Sequence, residues 1–248
     1  MTIDSELDLE GLKRIGKIVA QTLQEMINHV RPGITTAELD EVGARLLKKN
    51  GARSAPMLVY NFPGATCISI NDEAAHGIPG ERTIRPGDLV NIDVSAELEG
   101  YFADTAATIS VPPTSRLHQK LLSCTQNALQ RAIHSARAGQ PMNVIGKKIE
   151  AEARHCGFQI LRELNGHGVG RNIHEEPQNV SNYFNPFDRR PLSDGLVITI
   201  EPFLSTGTSR VKTGKDGWTL STIDGSLCAQ FEHTLVIRRG RPIIITTP

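Results

Sequence analysis

Asp93, Asp104, His167, Glu201 and Glu232 lie on or beside short apolar stretches of a 248-residue chain. Carboxylates and a single imidazole suit hard divalent cations, and four carboxylates gathered in a mostly apolar sheet would repel one another and lose their hydration without counter-charge. The chemistry open to these five residues is that of a dinuclear metal hydrolase, in which paired ions acidify a water and polarise the carbonyl under attack.

The elements that must position them are legible around the first aspartate. Val90, Ile92 and Val94 alternate with Asn91, Asp93 and Ser95, the pattern of a strand with one apolar and one polar face. The chain turns at Glu97-Leu98-Glu99-Gly100 and returns as Tyr101 to Thr105. A two-residue loop at Leu98-Glu99 would oppose positions that sum to 197, and 93 plus 104 is 197, so the two aspartates are expected to face each other directly across a hairpin. Like charges so placed are destabilising unless solvated or bridged by a cation.

An internal repeat multiplies this signal. Gly195 to Glu201 matches Gly87 to Asp93 position for position, and the stretch from Arg31 to Gly51 aligns without a gap on that from Arg137 to Gly157. His76-Gly77-Ile78-Pro79 echoes His174-Glu175-Glu176-Pro177. A repeat of roughly 100 residues implies two similar halves, about 8–111 and 115–240 of a single domain spanning 1–248, each giving the cleft a strand-borne carboxylate and a histidine.

Helices are expected to cover the strands. Leu9, Leu12, Ile15, Val19, Leu23 and Met26 recur at helical spacing up to Pro32-Gly33, and Thr35 with Glu38 makes a capping box for a second helix that Asn50-Gly51 stops. The pair recurs from about Ser115 to Ala138 and Met142 to Cys156, with Leu117, Leu121, Leu129, Ile133, Val144 and Ile149 as the expected buried positions. Strands are expected around Cys67–Ile70, Leu89–Ala96, Phe102–Val111, Leu196–Phe203 and Phe231–Ile237, and the Asn179–Arg190 segment as an irregular crossing over the cleft.

Composition narrows the function class. Hydrophobic residues make up 39% and charged residues 22%, as in an ordinary globular protein, and 27 Lys plus Arg balance 27 Asp plus Glu, so no basic excess points to nucleic acid or an anionic membrane. An acidic N-terminus without an apolar core and the absence of a long apolar run lead us to expect a cytoplasmic protein, and a body of this size needs no partner to bury its core, so a monomer is expected. Cys67, Cys124, Cys156 and Cys228 form no Cys-x-x-Cys pair and are expected to be mostly small core residues.

Five separated stretches carry a family resemblance: Asn71 to Pro79, Asn165-Gly166-His167-Gly168-Val169-Gly170, Ile173 to Pro177, Thr199-Ile200-Glu201-Pro202, and Gln230-Phe231-Glu232-His233-Thr234. In order and spacing the sequence resembles the type I methionine aminopeptidases. The resemblance implies an α/β (α+β) pita-bread fold, two pseudo-symmetric halves with a curved antiparallel sheet covered by helices. It implies removal of the initiator methionine from nascent proteins and peptides with a small second residue. Two divalent ions (Co, Mn, Fe or Zn) would be held by Asp93, the bridging Asp104 and Glu232, and His167 with Glu201. Glu201 would also accept the proton of the attacking water, His174 would bind the substrate carbonyl, and His76 would contact the amide beyond the scissile bond. His233, one residue from Glu232 on a strand, is expected to face away and not to ligate.

The methionine pocket that the resemblance implies comprises Pro56, Val59, Phe62, Cys67, Ile173 and Trp218. Val59 and Ile173 stand where the family commonly has aromatic residues, and Ala75 where a cysteine often precedes the catalytic-loop histidine. The implied partners are peptide and nascent-protein N-termini, with any ribosome contact falling to the domain's own surface. Nucleic acid and membrane are not expected partners.

Overall fold

The computed structural model describes residues 1–248. Helix α1 (Glu6–His29) opens with Ser5 accepting from the Asp8 amide, and α2 (Thr36–Lys49) opens with the complete Thr35–Glu38 capping box. A short α3 (Ala55–Tyr60), capped by Ser54, was not foreseen, and α4 (Arg116–Ser135) and α5 (Asn143–Cys156) form the second helix pair. Leu117, expected inside, is exposed on the first turn of α4, and Val144 is only half-buried.

The strands Leu89–Leu98 and Tyr101–Ser110 form the long hairpin, with Cys67–Ile70 on the other edge of the first strand. Its register differs from the expected one. Leu98 pairs with Tyr101, so the loop is Glu99-Gly100, both at positive φ, and Asp93 lies opposite Ala106 while Asp104 lies opposite Ser95. A primed two-residue turn requires positive φ at both central positions, which Gly100 accepts freely at the second, and this shifts the pairing by two residues. The aspartates therefore remain on one face as diagonal neighbours. In the second half the strands run in the order Ile243–Ile244, His233–Val236, Val197–Ile200, Gly166–Gly168 and Glu175–Val180.

Threonine hydroxyls stitch the halves together. The Asp104 amide donates to Thr234 Oγ1 (2.9 Å), which donates back to the Asp104 carbonyl (2.8 Å), and Thr105 Oγ1 donates to the Glu232 carbonyl (2.8 Å). The Glu232 amide then donates to the Ala106 carbonyl at 2.9 Å. These contacts lay the 230–234 segment along the hairpin and so bring Glu232 to Asp104 from a position 128 residues later in the chain (232 minus 104).

The repeat is written into the backbone as well. Gly33 and Gly139 have φ of 93° and 86°, Gly51 and Gly157 of 74° and 77°, and Gly87 and Gly195 of 87° and 85°. Equivalent turns in the two halves thus use equivalent left-handed glycines. The two largest apolar cores divide the same way, one among residues 15–111 under α1 and α2, the other under α4 and α5. The Asn179–Arg190 segment does not cross the cleft: Asn179 and Val180 end a strand, and Asn182 Nδ2 donates to the Leu164 and Glu201 carbonyls (2.9 Å each) from outside the cleft lining. Its later part is held at the start of α5, where Asn143 Nδ2 donates to the Asn185 carbonyl (2.9 Å) and the amide of the preceding Met142 to that of Arg190 (2.8 Å).

Candidate metal centre

The five sequence-derived ligand candidates converge where the halves meet. Asp93 and Asp104 come from the hairpin, His167 from a short strand, Glu201 from the residue after the Val197–Ile200 strand, and Glu232 from the residue before His233–Val236. Asp104, His167, Glu201 and Glu232 are each buried, with relative exposures of 7%, 5%, 8% and 2%. Ligand atoms of Asp104, His167 and Glu232 all lie within 4.8 Å of one another. Proline after Glu201 ends the strand at the carboxylate, as a residue without an amide donor must.

Local sequence fixes the imidazole closely. Gly168 is required beside it, because a Cβ there would come within 2.3 Å of the Glu176 carbonyl oxygen of the neighbouring strand. The His167 amide donates to Thr199 Oγ1 (3.0 Å), and Thr199 Oγ1 donates in turn to Glu201 Oε1 (2.9 Å). His167 Nδ1 lies 2.9 Å from the Gly168 carbonyl oxygen, which can only accept, so the ring proton is on Nδ1 and Nε2 presents a lone pair. That lone pair faces Glu201 Oε1 at 3.6 Å and Asp104 Oδ2 at 3.9 Å. Burial, reinforced by the neighbouring His174, pushes the His167 pKa down to about 3, so the imidazole is neutral with its Nε2 lone pair turned to carboxylates.

The carboxylates show the same deficit of positive charge. Asp104 Oδ1 and Glu232 Oε1 are buried without any hydrogen-bond partner, as is Gln230 Oε1, whose Nε2 donates to Glu232 Oε2 (3.2 Å). Burial first, then mutual repulsion, raises Asp104, Glu201 and Glu232 well above the ordinary carboxylate range, and burial raises Asp93. Orphaned carboxylate oxygens around an imidazole lone pair fit divalent cations, and no protein cation is positioned to replace them.

This has a pH consequence. Without cations the fold holds protons on Asp104, Glu201 and Glu232 that the unfolded chain releases near pH 4, so their contribution to stability is full below the unfolded value and is lost as pH rises through the raised folded values. The buried histidines act oppositely but only below their ordinary pKa of about 6.5. The stabilisation of chelated protein by saturating Mn²⁺ is therefore expected to grow as pH rises above the unfolded carboxylate value of about 4, because the ion replaces the protons; a melting-temperature gap independent of pH would contradict it.

A cleft of about 400 Å³ opens beside the cluster, lined by Pro56, Tyr60, Phe62, Cys67, Ile173 and Trp218 among others. Phe62 and Trp218 meet edge-to-face with centroids 5.2 Å apart. The cleft wall includes Tyr60 in place of the expected Val59, which is 43% exposed and does not line it. One residue along α3 is a rotation of about 100°, enough to carry Val59 out and Tyr60 in. The Tyr60 hydroxyl lies 2.5 Å from His174 Nδ1. Sequence reasoning also missed Leu164, Phe203 and Leu220 in the wall.

The two catalytic candidates flank this space. His174 has its ring 3.9 Å from that of His167, centroid to centroid, and His76 sits in the left-handed region at φ 55°. Both histidines reach solvent, yet the surrounding cleft strips enough water from each to hold it below its ordinary pKa. His233 faces away from the cluster and bonds Thr246 Oγ1 at 2.9 Å.

A curved antiparallel body with a buried carboxylate–imidazole cluster beside an apolar cleft defines a cation-dependent hydrolase of the pita-bread class. Metallopeptidase family M24 matches residues 10–239 of the chain. Methionine aminopeptidase 2 of Bacillus subtilis is 45% identical over 247 residues, covering 99% of each chain. A crystal structure of methionine aminopeptidase from Thermotoga maritima superposes with a TM-score of 0.96 at 34% identity and covers 100% of both chains. The prolidase from Pyrococcus horikoshii, with a TM-score of 0.79 and 23% identity over 99% of this chain and 63% of its own, shares the fold alone. The chain belongs to metallopeptidase family M24, in a branch that holds the methionine aminopeptidases.

Proposed function

We propose that the protein is a methionine aminopeptidase that releases the N-terminal methionine of peptides and nascent proteins with a small second residue. The observation that carries this reading is the pair of unpartnered buried oxygens, Asp104 Oδ1 and Glu232 Oε1, beside an apolar cleft whose wall includes Phe62 and Trp218. Asp93, Asp104, His167, Glu201 and Glu232 would hold two divalent cations, Co, Mn, Fe or Zn. When bound, these supply Lewis acidity and bring a water's ionisation toward neutral pH.

The chain's own groups do the rest. Phe62, Cys67, Ile173 and Trp218 offer apolar walls that suit a flexible thioether, with Tyr60 at the rim. The nearby acids favour a free α-amine, which limits cleavage to one residue. Glu201, oriented by Thr199, takes the proton of the attacking water. With the Tyr60 O–H donating to His174 Nδ1, the imidazole keeps its proton on Nε2 and donates it to the carbonyl oxygen as negative charge develops there. His76, also in the cleft wall, would contact the amide nitrogen beyond the scissile bond and assist its departure. We place this work in the cytoplasm, on chains as they are made, by a monomer whose cores close without a partner.

Chelated protein reloaded with Mn²⁺ or Co²⁺ tests the assignment. Release of methionine from Met-Ala-Ser, strictly dependent on added cation and absent for the N-acetylated peptide, is the expected result. Faster turnover of Leu- or Pro-containing peptides, or equal turnover of the acetylated one, would overturn it.

A further inference from the structure

A second group of metal-ligating side chains lies away from the cleft, between α4 and α5. Cys124 on α4 faces Glu152 and Cys156 on α5, and the ligand atoms of all three lie within 4.8 Å of one another. Glu152 and Cys156 are four residues apart and share one helix face, so both helices present their donors to one point. The existing partners are weak or replaceable. Cys124 Sγ donates to the Glu152 carbonyl at 3.7 Å and Cys156 Sγ to Glu152 Oε1 at 4.0 Å, while Arg131 Nε pairs with Glu152 Oε2 at 2.8 Å from a side chain that is 65% exposed.

We propose that Cys124, Cys156 and Glu152 form a third cation site, specific for a thiophilic divalent ion such as Zn²⁺, which braces α4 against α5. Zinc takes thiolate at about 2.3 Å and carboxylate at about 2.0–2.2 Å in tetrahedral geometry, so two sulfurs on one ion stand about 3.8 Å apart. With the donor atoms already within 4.8 Å of one another, a contraction of at most about 1 Å reaches that spacing. The cation replaces both thiol protons, which pass to solvent, and a water entering on the half-buried Cys156 side supplies the fourth ligand. Two thiolates and a carboxylate leave one net negative charge around the ion, which Arg131 balances after swinging off Glu152.

The surroundings favour an ion over a disulfide. Redox-sensing cysteines are low-pKa thiols in electropositive, accessible surroundings. Here Cys124 is 1% exposed, burial and the adjacent Cys156 raise its pKa, and the nearest charged group is the Glu152 carboxylate, with Arg131 paired to it on its outer side. A metal ion supplies the positive charge that deprotonates such thiols. The donor set also separates this site from the cleft, whose candidate ligands are oxygen and nitrogen.

Mn²⁺-loaded protein titrated with Cd²⁺ under reducing conditions tests the proposal, because thiolate ligation gives an ultraviolet charge-transfer band that carboxylates and imidazoles do not. We expect the band to saturate at one Cd²⁺ per chain. It should vanish in the Cys124→Ala/Cys156→Ala variant, whose aminopeptidase activity stays at the wild-type level and reports that it is folded. In unaltered protein, Zn²⁺ should also slow thiol modification of Cys156. Absence of the band, its persistence in the double variant through Cys67, an unchanged modification rate, or a Cys124–Cys156 disulfide in place of ion binding would each overturn the site.

Discussion

Asp104→Asn is expected to lower kcat/KM on Met-Ala-Ser by about a thousandfold or more and to leave at least one of the two cleft cations unbound. Asp104 contributes Oδ2 toward His167 Nε2 at 3.9 Å and an orphaned Oδ1 on its other side, so its two oxygens address two different points of the cluster. An amide offers one oxygen and a donor nitrogen, which is repelled by a cation and removes half the bridge. Lewis-acid stabilisation of the transition state is worth several kcal/mol, and about 1.4 kcal/mol is a factor of ten in rate. The same substitution removes a buried carboxylate that repels its neighbours, so the cation-free fold should be as stable as the parent or more so. Metal analysis with a kinetic assay and a chelated melt reads all three; full activity with two bound ions would refute the bridging role.

His174→Ala should reduce kcat on the same peptide by about a hundredfold to a thousandfold, the usual cost of one oxyanion donor, with metal content unchanged. Its ring lies tilted by 43° against the His167 ring, whose Nε2 faces Glu201 and Asp104 instead, which is why ion binding and transition-state stabilisation should separate in this variant. Tyr60→Phe provides the graded companion. It leaves the imidazole in place but removes the hydroxyl on Nδ1, so the expected loss in kcat is about five- to tenfold, the equivalent of one net hydrogen bond. Equal kinetics for Tyr60→Phe and the parent would detach Tyr60 from the mechanism, and loss of metal in His174→Ala would make His174 a ligand in place of a donor.

How much of this was legible in the sequence depends on the kind of signal each element carries. The helices α1, α2, α4 and α5 were readable because apolar spacing and the Thr35–Glu38 capping box act within a few residues, whereas the Ser5 cap of α1 was not foreseen. The ligand candidates were readable because Asp93 and Glu201 recur at matching places in a repeat, and the repeat survives as paired glycine turns. The hairpin register was misplaced by two residues because it was anchored on Leu98-Glu99, although Gly100 at the second turn position was the better signal. Tyr60 was missed because α3 is only six residues long, and its signals, the Ser54 cap, Pro56 and a left-handed Asn61, are easily taken for a loop. The docking of Thr234 and Thr105 across the halves left no local trace, since tertiary contacts alone choose which hydroxyls do it. The same holds for the strands Val211–Thr213 and Leu220–Thr222, whose pairing carries Trp218 toward Phe62.

Crystals of chelated protein soaked in Mn²⁺ and measured at the manganese absorption edge put the central claim to its most direct test. The account predicts two anomalous peaks in the cleft, both touching Asp104 and Glu232, with Asp93 completing one shell and His167 with Glu201 the other. A cleft without peaks, its carboxylates protonated or turned apart in the presence of the ion, would contradict it.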